Sequence, residues 1–200
     1  MIILEHISTG YAQGLDVLQD VSFKMEDQGA YALMGPSGAG KTTLLRLLCG
    51  LIKPRAGRIN GLQGKRVVLQ FQEDRLLSWC SVLQNVLLAM PDPGFDEAKR
   101  ILRALEIDDF SAYPSNFSGG MKRRVSLARA IAFRAEILLL DEPFGGIDAA
   151  LKGRISPYVR QAAPLIVLST HDSAEVKLLD AQIITIQENK LRTDLPTAKD

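Results

Sequence analysis

Apolar and polar residues alternate at Val21, Phe23 and Met25 against Ser22 and Lys24, a period of two that predicts a half-buried strand. After Gly29 the short run Ala30–Met34 is apolar throughout, the pattern of a buried strand. The period then lengthens. Over residues 41–52 (KTTLLRLLCGLI) Leu44, Leu45, Leu47, Leu48 and Ile52 crowd one side of a predicted helix, and Lys53-Pro54-Arg55-Ala56-Gly57 ends it. Arg66–Phe71 is the next predicted strand. From Glu73 to about Arg134 the pattern is mainly helical, with Asp96 as the N-cap before Ala98, Ile101, Leu102 and Leu105. After Glu136 the alternation of strand and helix resumes. Ile137–Leu140 predicts a strand, the stretch near Ala150–Arg160 a helix, Leu165–Ser169 a strand, and Glu188-Asn189 the turn of a final hairpin.

Strands alternating with helices predict an α/β fold, a mostly parallel central sheet covered on both faces. The helical middle reads as an insertion. The expected organisation is one domain over 1–200, with a core formed by 1–72 and 135–200 and a helical subdomain at about 73–134. Pro91-Asp92-Pro93-Gly94 is a loop within the insertion.

Composition narrows the function. With 46% apolar and 24% charged residues the chain is ordinary globular protein, and a net charge of +1 lacks the basic excess that nucleic-acid binding needs. The longest charge-free stretch, Leu76–Pro91, is too short to span a bilayer. Met1–Ile7 has no basic n-region, so a secretory signal is not expected. Cys49 and Cys80 sit in apolar stretches without metal-ligand spacing, which predicts buried thiols in a reducing, cytoplasmic compartment.

The chemistry begins at Gly35-Pro36-Ser37-Gly38-Ala39-Gly40-Lys41-Thr42, which satisfies G-x-x-x-x-G-K-[ST] between a predicted strand and a predicted helix. Such a loop turns successive backbone N–H groups inward as an anion nest, and the helix N-terminus adds its dipole. Lys41 supplies a charge for the β- and γ-phosphates, and Thr42, followed by Thr43, a hydroxyl for Mg²⁺. A plain glycine turn is the bland alternative, but Gly-Lys-Thr at this spacing favours phosphate. Ile137-Leu138-Leu139-Leu140-Asp141-Glu142 adds a second half: an apolar strand with acids at its carboxyl end, where ligands of parallel sheets sit. Asp141 is expected to hold the Mg²⁺ shell and Glu142 to polarise the attacking water.

Between these halves lies Phe117-Ser118-Gly119-Gly120-Met121, a capped helix start that is another anion site. With it the chain resembles the ATP-binding-cassette ATPases, whose signature is a Ser-Gly-Gly turn opening a helix. The resemblance extends to Gln72 as the family's glutamine loop, which contributes to the metal shell and catalysis. It includes Gly145-Gly146-Ile147-Asp148 as the D-loop, His171 as the switch histidine and Tyr11 as the aromatic that stacks on adenine. These elements run in family order over residues 11–171. Met121 stands where Gln is usual, the D-loop carries Gly-Gly where Ser-Ala is usual, and the span from Lys41 to Ser118 is short for the family.

The resemblance implies a P-loop NTPase core with an N-terminal antiparallel β portion and an inserted helical subdomain. It implies ATP and Mg²⁺ as cofactors, with Lys41, Gln72, Glu142 and His171 in catalysis. Two cassettes would pack head-to-tail, each ATP lying between the loop at 35–42 of one and Ser118–Gly120 of the other, with Asp148 at the seam. The stretch Glu73-Asp74-Arg75-Leu76-Leu77-Ser78-Trp79 resembles importers of the nitrate/sulfonate/taurine and thiamine-precursor group, and Leu76, Leu77 and Trp79 are expected to line a groove for a membrane subunit, with the core of the helical subdomain as the alternative place for Leu76 and Leu77. The implied partners are integral membrane permease subunits, a second cassette and an extracytoplasmic solute-binding protein, with no nucleic acid. The implied location is cytoplasmic, peripheral on the inner face of the cell membrane. Two alternatives compete: a soluble cassette ATPase of translation or DNA repair, and a P-loop small-molecule kinase. The kinase leaves Ser118–Gly120, Asp148 and His171 unexplained. His6 reads as surface or core filler, and Lys122, Arg123, Arg124, Arg129 and Arg134 as a solvated helix rather than a nucleic-acid patch.

Overall fold

The computed structural model describes residues 1–10, 16–187 and 190–193, the last four as backbone. Tyr11 and the turn at Glu188-Asn189 lie outside the described residues. Nine strands and six α-helices are described: β1 (Ile2–Thr9), β2 (Leu18–Met25), β3 (Gly29–Met34), α1 (Lys41–Leu48), β4 (Ala56–Asn60), β5 (Val67–Gln70), α2 (Val82–Leu87), α3 (Phe95–Ala104), α4 (Gly119–Ala132), β6 (Ile137–Asp141), α5 (Ala149–Arg160), β7 (Leu165–Ser169), α6 (Ser173–Leu179), β8 (Gln182–Gln187) and β9 (Lys190–Thr193). They form two sheets. β2-β1-β4 is antiparallel, and β5-β6-β7-β3-β8-β9 is parallel except for the pairing of β8 with β9.

The central strands are apolar along their whole length because both faces are covered. Ile137 and Leu139 of β6 join Ile2, Phe23, Leu33 and Leu44 in a core under the antiparallel sheet and α1. Leu138 and Leu140 turn the other way, into a core shared with Ile101, Val125, Ile155 and Leu179 of the helices. The loop after β3 and the helices between β5 and β6 are thereby anchored to opposite faces of one sheet.

Several expectations need correction. The helix predicted over 41–52 stops at Leu48: Gly50 takes φ 76°, and the N–H groups of Leu51 and Ile52 turn back onto the Arg46 carbonyl. Gly94, not Asp96, is the N-cap of α3, and Asp96 lies with Glu97 in the first turn, where carboxylates complement the helix dipole. The two cysteines are half-buried rather than buried, and burial pushes the Cys49 thiol up. The basic residues of α4 are not a solvated face. Arg124 donates to the carbonyls of Leu105 and Glu106, Arg129 to that of Arg75, and Arg123 to that of Phe71. They tie the loops of the insertion to α4. His6 is exposed, at φ 52°, and bonds Asp20 at 2.7 Å.

Candidate functional site

β3 delivers the chain into the loop at Gly35. An added Cβ there would come within 2.3 Å of the Ile186 carbonyl oxygen, so the backbone of β8 itself demands glycine. The loop ends at Gly40, left-handed at φ 107°, where a Cβ would press on Leu18 at 2.8 Å. No side chain caps α1 and its first turn holds no acid, a helix start that suits an anion. Lys41 folds back over the loop, donating through Nζ to the carbonyls of Gly35 (2.8 Å) and Pro36 (2.9 Å).

Parallel strands bring the second half to the same place. Asp141, at the carboxyl end of β6 and 3% exposed, accepts from Thr42 Oγ1 (3.1 Å) and Ser169 Oγ (2.6 Å), both on its Oδ1. Glu142 follows at φ 49°, a conformation that strains a non-glycine residue, with its N–H donated to Ser169. Its carboxylate accepts from Gln72 Nε2 at 3.4 Å. Gly35, Pro36, Ser37, Gly38, Gly40, Lys41, Thr42, Thr43, Gln72, Asp141, Glu142 and His171 line one cleft of about 630 Å³. Ala39 does not line it; its side chain is buried in the core beneath.

Three residues of this cleft or its support were not anticipated. Val17 and Arg46 line it. Ser169 orders both acids from below, and its signal was its place at the end of a predicted strand parallel to that of Asp141. The donors fit Mg²⁺, which keeps waters and takes phosphate oxygens beside one or two protein ligands. Thr42, Asp141 and Gln72 offer such a partial set. Among the described residues no cluster of three His, Cys, Asp or Glu forms an all-protein metal cage.

The remaining predicted residues stand apart from this cleft. Ser118 caps α4, its Oγ accepting from the Met121 N–H at 3.3 Å. Gly119 opens the helix. Gly120 packs so closely on the D-loop that a Cβ would lie 2.6 Å from the Gly146 carbonyl. Asp148 caps α5 through the Leu151 N–H at 2.9 Å. Met121 packs against the helical core rather than reaching for a ligand.

A second cavity of about 300 Å³ opens where β5 meets the insertion, lined by Val68, Gln70, Phe71, Asp74, Arg75 and Arg129 among others. Arg75 lies over the Phe71 ring at 3.6 Å. Leu76, Leu77 and Trp79 do not line this cavity: Leu76 packs into the helical core, the Leu77 backbone is held by buried Asn85, and Trp79 is 73% exposed outside it. No helix among the described residues is long and apolar enough to cross a membrane.

Known proteins share this architecture and sequence. The chain superimposes on the dimeric structure of MJ0796, a bacterial ABC transporter cassette, with a TM-score of 0.84 over 96% of this chain and 97% of that one, at 24% identity. It is 40% identical to the aliphatic sulfonates import ATP-binding protein SsuB 2 of Frankia alni, across 90% of this chain and 75% of that protein. It is 36% identical to the taurine import ATP-binding protein TauB of Pseudomonas fluorescens, across 94% and 78%. The translation or DNA-repair alternative draws no support from these relatives. The ABC transporter family matches residues 18–145, the span from β2 through the loop at 35–42 to Asp141-Glu142, and the chain belongs to that family.

Proposed function

We propose that this ATPase energises import of a small solute of the sulfonate or taurine kind, acting at the inner face of the cell membrane on integral permease subunits, with an extracytoplasmic binding protein supplying the solute. The observation that carries the reading is the convergence of Lys41, Thr42, Gln72, Asp141, Glu142 and His171 on one cleft. The substrate class rests on the relatives named for sulfonate and taurine import.

In this mechanism the loop's N–H groups cradle the ATP phosphates, and Lys41 leaves the carbonyls of Gly35 and Pro36 to pair with them. Thr42 and Asp141, with Gln72, would hold Mg²⁺, which would supply neutralisation of the charge on the transferred group. Glu142, fixed by its strained backbone and by Gln72, orients and polarises the attacking water. His171 meets the γ-phosphate from the far wall. Ser118–Gly120 do not line their own cleft, and a second copy, head-to-tail, brings its turn to the phosphates while Asp148 lies at the seam. ATP thus glues two copies together and hydrolysis releases them.

The test is Glu142→Gln. The variant should bind ATP within a few-fold of wild type, lose 10²–10⁴-fold in turnover as an absent general base does, and size as a dimer with Mg-ATP. A strict monomer at micromolar concentration would sink the sandwich. Recovery of an integral membrane protein with the tagged chain, from detergent-solubilised native membranes, tests the transport half.

A further inference from the structure

Immediately behind His171 lies a cluster that the phosphate chemistry does not use. Lys152 sits in the first turn of α5, one turn from Asp148, whose carbonyl accepts its N–H at 2.9 Å. Its side chain crosses to the next loop. Nζ donates to Glu175 Oε1 at 2.5 Å and to Asp172 Oδ2 at 3.2 Å. Glu175 is 5% exposed, and its other oxygen accepts from Thr170 Oγ1 at 2.6 Å. Thr170 Oγ1 accepts from the Asp172 N–H at 3.0 Å, and the Thr170 N–H donates to Leu33 of β3 at 3.2 Å. Both chain neighbours of His171 are therefore pinned, and Lys152 joins them to the helix that Asp148 begins.

We propose that Lys152 is a positioning residue that locks the loop carrying His171 to the helix capped by Asp148, so that the two move as one piece. The proposal rests on the role of His171 given above. A buried ion pair is a poor way to gain stability, since well-packed apolar residues do as well or better, and its distinctive property is a fixed geometry. Here that geometry spans two segments with separate duties. Burial pulls the Lys152 ammonium down, but the carboxylates of Glu175 and Asp172 outweigh it, so the lysine stays charged. Engagement of Asp148 by a second copy shifts α5, and through Lys152 the shift reaches His171. Hydrolysis in one cleft then depends on a closed seam, which restrains turnover in a lone subunit.

Four variants test this by steady-state turnover, equilibrium ATP binding and melting temperature. Lys152→Met should lower kcat at least tenfold with ATP affinity within about threefold of wild type. Lys152→Arg, which keeps the charge, should retain kcat within about threefold. Lys152→Met leaves Glu175 buried without its partner, so the double variant Lys152→Met/Glu175→Gln removes both charges and should recover the melting temperature while kcat stays low. A double variant with wild-type kcat would overturn the proposal. So would a kcat loss that tracks the melting temperature across the series. His171→Ala separates the two readings: if it turns over normally the role of His171 fails and this proposal with it, whereas an inactive His171→Ala beside a fully active double variant refutes the coupling alone.

Discussion

Asp141 receives two hydroxyl donors on the same oxygen, from Ser169 at 2.6 Å and Thr42 at 3.1 Å. The arrangement holds a nearly buried carboxylate in place and links it to Glu142, whose N–H rests on the same serine. Ser169 is fully buried, so truncating it removes a charge-assisted bond with no water to replace it. Ser169→Ala should lose about 1.5–3 kcal/mol of stability. At roughly 2–4 °C per kcal/mol for a chain of this size, the melting temperature falls by about 3–12 °C. Turnover should fall as well, since both acids lose their support; a variant matching wild type in a thermal melt and an ATPase assay would remove Ser169 from the site. Gly120 gives a second residue-scale prediction. A Cβ there lies 2.6 Å from the Gly146 carbonyl, a backbone atom that cannot yield cheaply. Gly120→Ala should push the signature turn and the D-loop apart, abolishing ATP-dependent dimerisation of the Glu142→Gln protein while leaving ATP binding to the loop at 35–42 intact. Sizing with and without Mg-ATP checks it.

Elements differ in how plainly the sequence announces them, for physical reasons. β6 and β7 are covered on both faces, and continuous apolar runs betray them. β1 was hidden because its alternation slips: the register shifts between Leu4 and Ile7, where His6 turns to φ 52°, so Ile2, Leu4 and Ile7 do not keep a period of two. β4 is five residues, mostly exposed, with Gly57 inside it, and has no apolar face to read. The site divides the same way. The phosphate loop and Asp141-Glu142 are contiguous in the chain and were legible as motifs. Ser169 enters only through the register that pairs it with Asp141 across β6 and β7. The cavity beside β5 was not legible, because which side of the segment after Gln72 faces the core is decided by Asn85, buried on α2. The arginines of α4 were misread since their partners are loop carbonyls, which carry no sequence signal. One of them bears on a prediction at this scale. Burial holds the Asp74 carboxyl above its ordinary value of 3.8, although Arg123 at 3.3 Å and Lys122 pull it down. A folded pKa above the unfolded one makes the folded chain bind more protons between the two. The ionised group therefore weakens the fold fully at neutral pH, and the penalty fades as pH falls through the folded value toward the unfolded one. Asp74→Asn should melt at least as high as wild type at pH 7, and its advantage should vanish near pH 4, about the unfolded value. A variant that melts lower at neutral pH would show that the Arg123 contact outweighs burial.

At the scale of the molecule, the parallel sheet separates two cores, one under the antiparallel sheet and α1, the other under the helices, and the phosphate cleft sits where strands from the middle of that sheet end. A ligand in the cleft touches α1 on one face, the ends of β3, β6 and β7, and the segment after β5 that leads into the insertion. Its binding energy therefore adds to the stability of both cores, provided the unfolded chain does not bind it. At a free ATP concentration about 100 times Kd the gain is about 2.7 kcal/mol, which at roughly 2–4 °C per kcal/mol raises the melting temperature by about 5–11 °C. Lys41 supplies the cleft's charge-assisted contact from the loop, worth roughly 1.5–3 kcal/mol, so Lys41→Ala should weaken ATP about ten- to a hundredfold. At the same ATP concentration the variant then sits at only about 1–10 times its own Kd, and the gain shrinks to roughly 0.4–1.4 kcal/mol. The apo melting temperature should barely move by comparison, because the two hydrogen bonds lost from Lys41 join a half-exposed ammonium to loop carbonyls rather than to either core. A thermal melt of both proteins with and without ATP reads all four numbers at once. An unchanged ATP shift in Lys41→Ala would mean that the phosphates are held by the loop's N–H groups alone, and an apo protein that melts far lower would make Lys41 a brace of the loop instead of a ligand for the nucleotide.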